Sequence, residues 1–312
     1  MKQKEKVIIL LSTYNAERYL REQLDSLLAQ TCQPDEILIR DDGSKDGTIE
    51  ILEEYSKKAE NVTYYMGENL GAKDSFLDLV KHAKDRDFAF CGFCDQDDYW
   101  KPEKIERAVK MLQQAGEGPV LYCGKTQLVD ADLNPLPEQI HRRVRPSFYN
   151  ALVENVVTGC TTLLNRSMYD LLLSYMPRYC IMHDWWMYLV ASCLGKVVYD
   201  ETPYILYRQH GDNVMGLESQ YHMEMKNRMA KFKSRKSNIS MQAEELVRLL
   251  EKNNIEHPKQ GELEECLKTA RLLAHYKESM KSRLILAFGH KVFRQRRMDD
   301  VIFRVLFLMG MR

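Results

Sequence analysis

The sequence predicts a mixed α/β fold in which helices flank a mostly parallel central sheet. Short apolar runs rich in Val and Ile alternate four times with segments of helical spacing, a pattern typical of parallel strands joined by helices. A polar turn follows each of these runs. From about residue 217 the strand signals stop and Lys, Glu, Met and Leu predominate, which predicts a helical C-terminal region.

The apolar runs have the length of strands and contain many β-branched residues. In chain order they predict strands at Lys6–Leu11, Glu36–Arg40, Val62–Met66, Phe88–Cys94, Val120–Gly124, Gln127–Asp130, Thr158–Asn165, Val197–Tyr199 and Tyr204–His210. Between them, apolar residues recur with helical spacing, and segments with Gly or Pro mark the ends. Helices are therefore predicted over residues 19–28, 49–58, 71–82, 102–114 and 166–176, and from His183 onward.

The bulk composition excludes some classes of protein. Lys plus Arg equals Asp plus Glu at 45 each, and this zero formal net charge argues against binding nucleic acid through bulk charge. The eight cysteines form no disulfide framework, and no apolar window has the length of a signal sequence or a membrane span. We therefore expect free thiols and a cytoplasmic location. Cys91 and Cys94 have redox or zinc spacing, but their place inside a predicted strand favours two core thiols.

An acidic turn, Asp95-Gln96-Asp97-Asp98, directly follows the fourth predicted strand. The carboxyl ends of strands form the ligand-binding edge of an open parallel sheet, and carboxylate oxygens suit Mg²⁺ or Mn²⁺. A solvated acidic turn is the alternative. No G-x-G-x-x-G or Walker sequence is present, so phosphate charge would have to be met by a metal and turn amides. The cation site is favoured because other polar turns belong to the same edge: Thr13-Tyr14-Asn15, Asp41-Asp42 and Asn69.

Three downstream residues are further candidates. Asp184 begins a predicted helix beside Trp185; it is either an N-cap or a general base whose pKa is raised by apolar neighbours that can stack on a sugar. Arg208 and His210 end the last predicted strand. They are either ordinary strand-edge residues or ligands of a diphosphate and a metal, which requires that this strand ends beside Asp97.

The order of these motifs matches a known pattern. The motifs are Ser12-Thr13-Tyr14-Asn15, Asp41-Asp42-Gly43-Ser44-x-Asp46-Gly47-Thr48, Asn69-x-Gly71, Asp95-Gln96-Asp97-Asp98, Thr158-Gly159-Cys160, His183-Asp184-Trp185 and Arg208-Gln209-His210. Over about residues 5–215 the chain resembles a family 2 glycosyltransferase of the GT-A fold, with a Rossmann-like nucleotide-binding half. Its later motifs are similar to those of bacterial rhamnosyltransferase-like members.

The resemblance implies a role for each motif. The nucleoside is expected on Thr13, Tyr14, Asn15, Glu17, Asp41, Asp42, Asn69 and Asp95, where either Asp41 or Asp42 reads the base and Asp95 contacts the ribose. The resemblance places Mg²⁺ or Mn²⁺ on Asp97, with His210 as a further ligand. Asp184 is expected to be the catalytic base, and His183 stands where the family usually has an acid. Contacts to the donor or the acceptor are expected from Gly159, Trp185 and Arg208.

The implied function is inverting transfer of a sugar, such as rhamnose or another hexose, from a nucleoside diphosphate to a glycan or polyprenyl-linked acceptor in bacterial cell-surface polysaccharide synthesis. The Gln-x-x-Arg-Trp signature of processive members is absent, which favours the addition of a single sugar, or a few, over polymer extrusion. A metal-dependent nucleotidyltransferase or hydrolase and an inactive glycan-binding relative are the alternatives. The implied domains are a catalytic domain over residues 1–216, with halves 1–115 and 116–216, and a helical region over residues 217–312.

The C-terminal region lies outside the resemblance. Residues 271–312 carry ten Lys or Arg and three Asp or Glu, with apolar runs at Leu284–Phe288 and Val301–Leu308. This pattern suits a helical cap that packs on the catalytic domain or on a second copy in a homo-oligomer. It also suits an amphipathic surface on an anionic membrane, which would place the protein at the inner face of the plasma membrane.

Overall fold

The computed structural model describes residues 5–137, 143–209, 238–252 and 260–310. The chain forms two compact units, each described by itself. Unit 1 comprises Met1–Arg143, Val157–Met176 and Gly195–Asn213, and unit 2 comprises Val144–Val156, Pro177–Leu194 and Val214–Arg312.

All the strands of the two sheets belong to unit 1. They are, in chain order, β1 (Val7–Thr13), β2 (Glu36–Asp41), β3 (Val62–Met66), β4 (Phe90–Cys94), β5 (Tyr99–Trp100), β6 (Val120–Gly124), β7 (Gln127–Val129), β8 (Leu163–Asn165), β9 (Lys196–Asp200) and β10 (Ile205–Arg208). The large sheet has seven strands in the order β3-β2-β1-β4-β8-β6-β9, and a small one has the order β5-β10-β7. Only β8 runs against the other strands of the large sheet.

The helices are α1 (Leu20–Leu28), α2 (Thr48–Lys58), α3 (Ala72–His82), α4 (Lys104–Gln114), α5 (Phe148–Ala151), α6 (Arg166–Ser174), α7 (His183–Leu194), α8 (Ile239–Lys252), α9 (Gln260–Ala274), α10 (Met280–Phe288) and α11 (Arg297–Leu308). In unit 1 they follow individual strands and pack on the sheet: α3 contacts β1, and α4 contacts β6. The predicted fold class is confirmed, with a mostly parallel central sheet, flanking helices and C-terminal helices.

The core of unit 1 explains the continuous apolar runs. Val7 to Leu11 of β1 are at most 1% exposed because helices cover both faces of a central parallel strand. In α1 the buried apolar residues Leu20, Leu24 and Leu27 recur at helical spacing, as expected for a helix that packs one face on a sheet.

One predicted strand is partly wrong. Residues 158–165 were expected to be extended throughout, but Gly159–Thr161 form a 3₁₀ turn and only Leu163–Asn165 form a strand. The hydroxyl of Thr161 donates to the Thr158 carbonyl (2.7 Å), and the hydroxyl of Thr162 donates to the Gly159 carbonyl (2.7 Å). These local side-chain bonds to the backbone compete with sheet pairing, so the turn persists.

Among the helices in the part of the chain that the structure describes, none combines the length and the apolar character needed to cross a bilayer.

The entry into β9 depends on a close approach of two backbones. A Cβ atom added to Gly195 would lie 2.3 Å from the carbonyl oxygen of Pro119, and the same oxygen accepts the Lys196 N–H at 2.9 Å. We predict that Gly195→Ala lowers the free energy of unfolding by about 1–3 kcal/mol, the usual cost of overpacking. Urea unfolding measures this.

The matched control is Gly261→Ala on α9. An added Cβ meets nothing within 4 Å there, and Ala is the better helix former by up to about 1 kcal/mol. Equal effects of the two substitutions would contradict the role of the close backbone approach at Gly195.

Candidate active site

The ends of β1 and β4 meet where the strand order of the sheet reverses. Strand β1 pairs with β2 on one side and with β4 on the other, and such a switch point is where open α/β sheets bind ligands. The Gln96 side chain joins the two ends, because its Oε1 accepts the Tyr14 N–H (2.7 Å) and its Nε2 donates to the Tyr14 carbonyl (3.2 Å). Gln96 therefore extends the β1–β4 pairing past the last strand residues.

The turn after β1 is also tied to the turn after β2. Asn15, at a φ of 49°, donates its N–H to the Ser44 hydroxyl (2.9 Å) and accepts the Lys45 N–H on its side chain (2.9 Å). Glu17 donates its N–H to Asp46 (3.1 Å) and accepts the Gly47 N–H (3.1 Å). Thus the predicted nucleoside contacts Asn15 and Glu17 shape this turn, while Tyr14 keeps an exposed ring.

Asp41 closes its own turn. Its carboxylate is 1% exposed and accepts four hydrogen bonds: from Thr13 Oγ1 (3.1 Å), from Ser44 Oγ (2.5 Å), and from the backbone N–H groups of Gly43 (3.0 Å) and Ser44 (2.9 Å). Gly43 has a φ of 84°, a left-handed conformation that favours glycine. The carboxylate thus fixes the loop between β2 and α2.

Asp42 holds a different turn. It is 2% exposed and accepts the N–H groups of Leu70 (2.9 Å) and Gly71 (2.8 Å), which follow the exposed Asn69. It also pairs with the guanidinium of Arg40. The two adjacent acids therefore belong to separate sets of hydrogen bonds. The sequence alone did not distinguish the role of Asp41 from that of Asp42.

Arg40 organises this edge of the sheet. The buried guanidinium donates to Asp42, to Asp78 Oδ2 (3.0 Å), to the Ser75 hydroxyl (3.2 Å) and to the Glu68 carbonyl (2.9 Å). The Ser75 hydroxyl in turn lies 2.6 Å from that of Ser12. Arg40 thus connects the ends of β1 and β2, the turn after β3 and helix α3. The sequence signal was weak, because Arg40 stands only as a single charge after the short apolar run Ile37–Ile39.

The acidic turn after β4 gathers ligand atoms. Donor atoms of Asp95, Asp98 and Cys160 lie within 4.8 Å of one another, in the one such cluster among the described residues. Asp98 is fully buried, its Oδ1 accepts the Arg208 N–H (3.2 Å), and its Oδ2 has no hydrogen-bond partner among those residues. Burial, together with the charges of Asp97 and Asp95, raises the pKa of Asp98 well above its ordinary value.

This donor set fits a hard divalent cation. The carboxylates of Asp95 and Asp98 offer oxygen ligands. A cation there would be coordinated by the buried oxygen of Asp98, and its charge would offset the mutual repulsion of the acids. Burial raises the pKa of the Cys160 thiol, so Cys160 stays protonated and is a poor ligand. Asp97, the predicted ligand, is half-buried in the same turn, and His210, the second predicted ligand, lies outside the described residues.

Arg208 fixes the acidic turn from behind. It is 1% exposed, its Nε donates to the Asp97 carbonyl (2.8 Å), and its guanidinium pairs with Glu22 and stacks 4.5 Å above the Tyr19 ring. The predicted strand end beside Asp97 is therefore present. The Arg208 side chain was predicted to contact the substrate, but its hydrogen-bonding groups are taken up by the protein. The geometry therefore favours a role for Arg208 in holding the acidic turn in position.

Lys104 is a buried cation that the sequence did not single out. It is 1% exposed, and its Nζ lies 3.2 Å from the centroid of the Trp100 ring. Burial lowers the pKa of Lys104 to about 7. The available signal was its position in α4, where Lys104 shares the buried face with Ile105, Ala108 and Leu112.

Gly159, a predicted substrate contact, is buried in the 3₁₀ turn next to Cys160.

The predicted base belongs to unit 2. Asp184 lies in the first turn of α7 and is 9% exposed, with its Oδ1 accepting the Trp185 N–H at 2.7 Å. The Trp185 indole donates to the Ala151 carbonyl (2.6 Å), which fixes the ring. His183 is buried beside them, and burial lowers its pKa to about 3, so it stays neutral.

The model of the family described as Glycosyl transferase family 2 matches residues 8–173, more than half of the chain. This chain belongs to glycosyl transferase family 2. The matched range contains the turns after β1, β2, β3 and β4. The family resemblance inferred from the ordered motifs is thereby confirmed.

Relatives of this family 2 chain cover part of its length. An uncharacterized glycosyltransferase of Rickettsia typhi is 28% identical over 210 residues, and the match covers 65% of this chain and 64% of that protein, so the chain spans less than two thirds of that relative. The putative teichuronic acid biosynthesis glycosyltransferase TuaG of Bacillus subtilis is 31% identical over 159 residues, 51% of this chain and 61% of TuaG. The dTDP-rhamnosyl transferase RfbG of Shigella flexneri is 26% identical over 216 residues, 66% of this chain and 73% of RfbG.

Among solved structures, residues 1–349 of S. aureus TarS in complex with UDP-GlcNAc match this family 2 chain with a TM-score of 0.55. The match covers 98% of this chain and 91% of that one at 18% identity. At this identity the likeness establishes the fold alone, and it confirms the predicted GT-A type of fold.

The Arg40–Asp42 pair generates a stability prediction. Arg40→Met leaves the Asp42 charge buried without its cation, which typically costs about 3–5 kcal/mol. The added substitution Asp42→Asn removes that charge while keeping an acceptor for the turn, so we expect the double variant to unfold less easily than Arg40→Met alone in urea. The matched control Arg21→Met breaks a pair with Glu54 whose side chains are half exposed, and it should cost less than about 1 kcal/mol. A double variant no more stable than Arg40→Met would contradict this account.

His183 generates a pH dependence. The unfolded chain binds a proton on this histidine near its ordinary pKa of 6.5, whereas the folded chain does so only near pH 3. Between these values the unfolded state holds more protons, so the free energy of unfolding falls by about 1.4 kcal/mol for each pH unit of acidification. We predict that His183→Gln removes this contribution from the slope measured by urea unfolding between about pH 6 and pH 5. Identical slopes for the two proteins would show that His183 is accessible to protons in the folded state.

Proposed function

We propose that this chain is an inverting glycosyltransferase that moves a sugar from a nucleoside-diphosphate donor to a hydroxyl group of an acceptor. One observation carries the proposal: the acidic turn Asp95–Asp98 lies at the switch point of a family 2 fold and is bonded to the turn after β1. Such an edge suits an anionic ligand whose charge is met by a cation and turn amides.

Donor binding is assigned to the turns of unit 1. The exposed Tyr14 ring and the exposed Asn69 flank the turns, and Thr13, Asn15, Glu17 and the Asp41–Asp42 pair are bonded into them, so the nucleoside would meet a prearranged surface. Asp42 is the better candidate to read the base, because it accepts three hydrogen bonds where Asp41 accepts four. Asp95 would contact the ribose. We assign residues 1–216 to catalysis, with halves 1–115 and 116–216.

A divalent cation, Mg²⁺ or Mn²⁺, would be held by the carboxylates of the acidic turn. Asp97 is proposed as a ligand with His210, and the unpartnered Oδ2 of Asp98 supports Asp98 as an additional one. The bound ion would neutralise the charge of the diphosphate as it leaves. Arg208 would hold the acidic turn through its bond to the Asp97 carbonyl, and Gly159 would contact the donor or the acceptor.

The protein's own part in the chemical step is assigned to Asp184. Its carboxylate would accept the proton of the acceptor hydroxyl while the oxygen bonds to the anomeric carbon. The bond from that carbon to the diphosphate breaks in the same step, so the configuration inverts. The low exposure of Asp184 and its place in the first turn of α7 beside Trp185 support this assignment. Trp185 would contact the sugar.

The finer substrate assignment rests on relatives. RfbG is a dTDP-rhamnosyl transferase and TuaG a putative teichuronic acid biosynthesis enzyme, and the TarS structure holds UDP-GlcNAc. We propose that this chain transfers rhamnose or another hexose from a pyrimidine nucleoside diphosphate to a glycan or polyprenyl-linked acceptor in bacterial polysaccharide synthesis. It would act in the cytoplasm.

The proposal is tested with a panel of nucleoside-diphosphate sugars and Mg²⁺ or Mn²⁺. A correct donor raises the apparent melting temperature, and product masses then reveal transfer. Asp184→Asn should retain the donor-induced shift while the transfer rate falls by about 10²–10⁴-fold. The control Asp170→Asn, at an exposed position of α6, should retain both the donor-induced shift and the transfer rate.

Other outcomes separate the alternative functions. Release of free sugar without a glycosylated product would identify a hydrolase. A donor-induced shift with no turnover for any acceptor would favour a binding protein. Transfer by Asp184→Asn at the normal rate would remove Asp184 from the role of base.

A further inference from the structure

Helices α10 and α11 each present an apolar stripe to solvent. On α10 the exposed apolar residues are Met280, Leu284, Ile285 and Phe288, and on α11 and its end they are Met298, Val301, Val305 and Met309. Their spacing of mostly three or four residues places each set on one side of its helix. These two short segments hold eight of the thirteen exposed large apolar residues of the described chain, a concentration that marks an interaction surface.

The exposure does not come from loosely packed helices. The two helices pack against each other, and their opposite sides are buried through Leu286, Ile302, Phe303 and Phe307. Tyr276 and Phe307 meet edge to face with ring centroids 4.9 Å apart. Both helices therefore have a satisfied inner side, and the outer stripes are additional apolar surface.

Charge identifies the occupant of this surface. Residues 280–310 contain seven Lys or Arg and two Asp. Lys291 pairs with Glu265 and Arg294 pairs with Glu154, so an excess of three positive charges remains. Arg304 donates to Asp300 and to the carbonyls of this hairpin, but Lys281 and Arg297 are exposed next to the stripes. A second copy docked through the same face would bring like charges together, whereas an anionic lipid surface offers headgroup charge and an apolar interior at once.

We infer that helices α10 and α11 dock on an anionic lipid surface, with the stripes at the boundary of headgroups and acyl chains and with Lys281 and Arg297 at the phosphates. The inference does not depend on the proposed transfer reaction, since lipid binding needs neither donor nor acceptor. It assigns a membrane-binding role to the C-terminal region, which the family match does not cover.

Vesicle flotation of the full chain tests the apolar part. We expect binding to vesicles of phosphatidylcholine with phosphatidylglycerol, and much weaker binding to phosphatidylcholine alone. The double variant Phe288→Ser with Val301→Ser should bind at least about tenfold more weakly. Both residues are more than half exposed, so circular dichroism should show an unchanged fold. The matched control is Met241→Ser, an exposed apolar position on α8, which should bind normally.

A second pair of variants tests the charge part. Lys281→Glu with Arg297→Glu should weaken binding by about tenfold or more, and added salt should weaken the binding of the original chain. Lys268→Glu, an exposed position on α9, is the control. The inference is overturned if the chain ignores anionic vesicles, or if the variants bind like their controls. A dimer in sedimentation that Phe288→Ser with Val301→Ser splits, with no vesicle binding, would assign the surface to a second copy.

Discussion

The buried guanidinium of Arg40 is the interaction on which the carboxyl edge of the sheet depends. It donates to Asp42, to Ser75 and Asp78 of α3, and to the Glu68 carbonyl, which belong to three separate segments. A buried charge is tolerated only when it is paired and fully hydrogen-bonded, so these segments are held in one arrangement. Asp42 in turn accepts the Gly71 N–H in the turn after β3, and the Ser75 hydroxyl bonds with that of Ser12 at the end of β1. Both segments are therefore held in place through Arg40.

The acidic turn after β4 differs from the Arg40 site, because it brings like charges together. Burial, together with the negative charges of Asp97 and Asp95, raises the pKa of Asp98. Within the described residues, one oxygen of Asp98 has no hydrogen-bond partner. Gln96 and Arg208 nevertheless hold the backbone of this turn. A backbone held in place beneath a cluster of neighbouring carboxylates suits a site completed by a cation.

The sequence predicted some elements well because local signals sufficed. Val62–Met66 is bounded by Asn61 and Gly67 and matches its observed strand. Residues 158–165 were mispredicted because the Thr161 and Thr162 hydroxyls bond locally to the backbone, which an apolar pattern does not report. For the site, the motifs located the turns, but the roles of Gln96 and Arg40 arise from contacts between distant segments, which no motif reports.

The sequence by itself determined the fold class and the edge on which the polar turns lie. Both follow from the alternation of strand and helix, since the carboxyl ends of parallel strands share one edge. Only the tertiary structure decided which side chains meet within that edge. Asp41 and Asp42 part into different hydrogen-bonding sets, and Arg208 reaches the Asp97 carbonyl across 111 residues of chain. Such pairings depend on sheet register and side-chain direction, which no local stretch of sequence encodes.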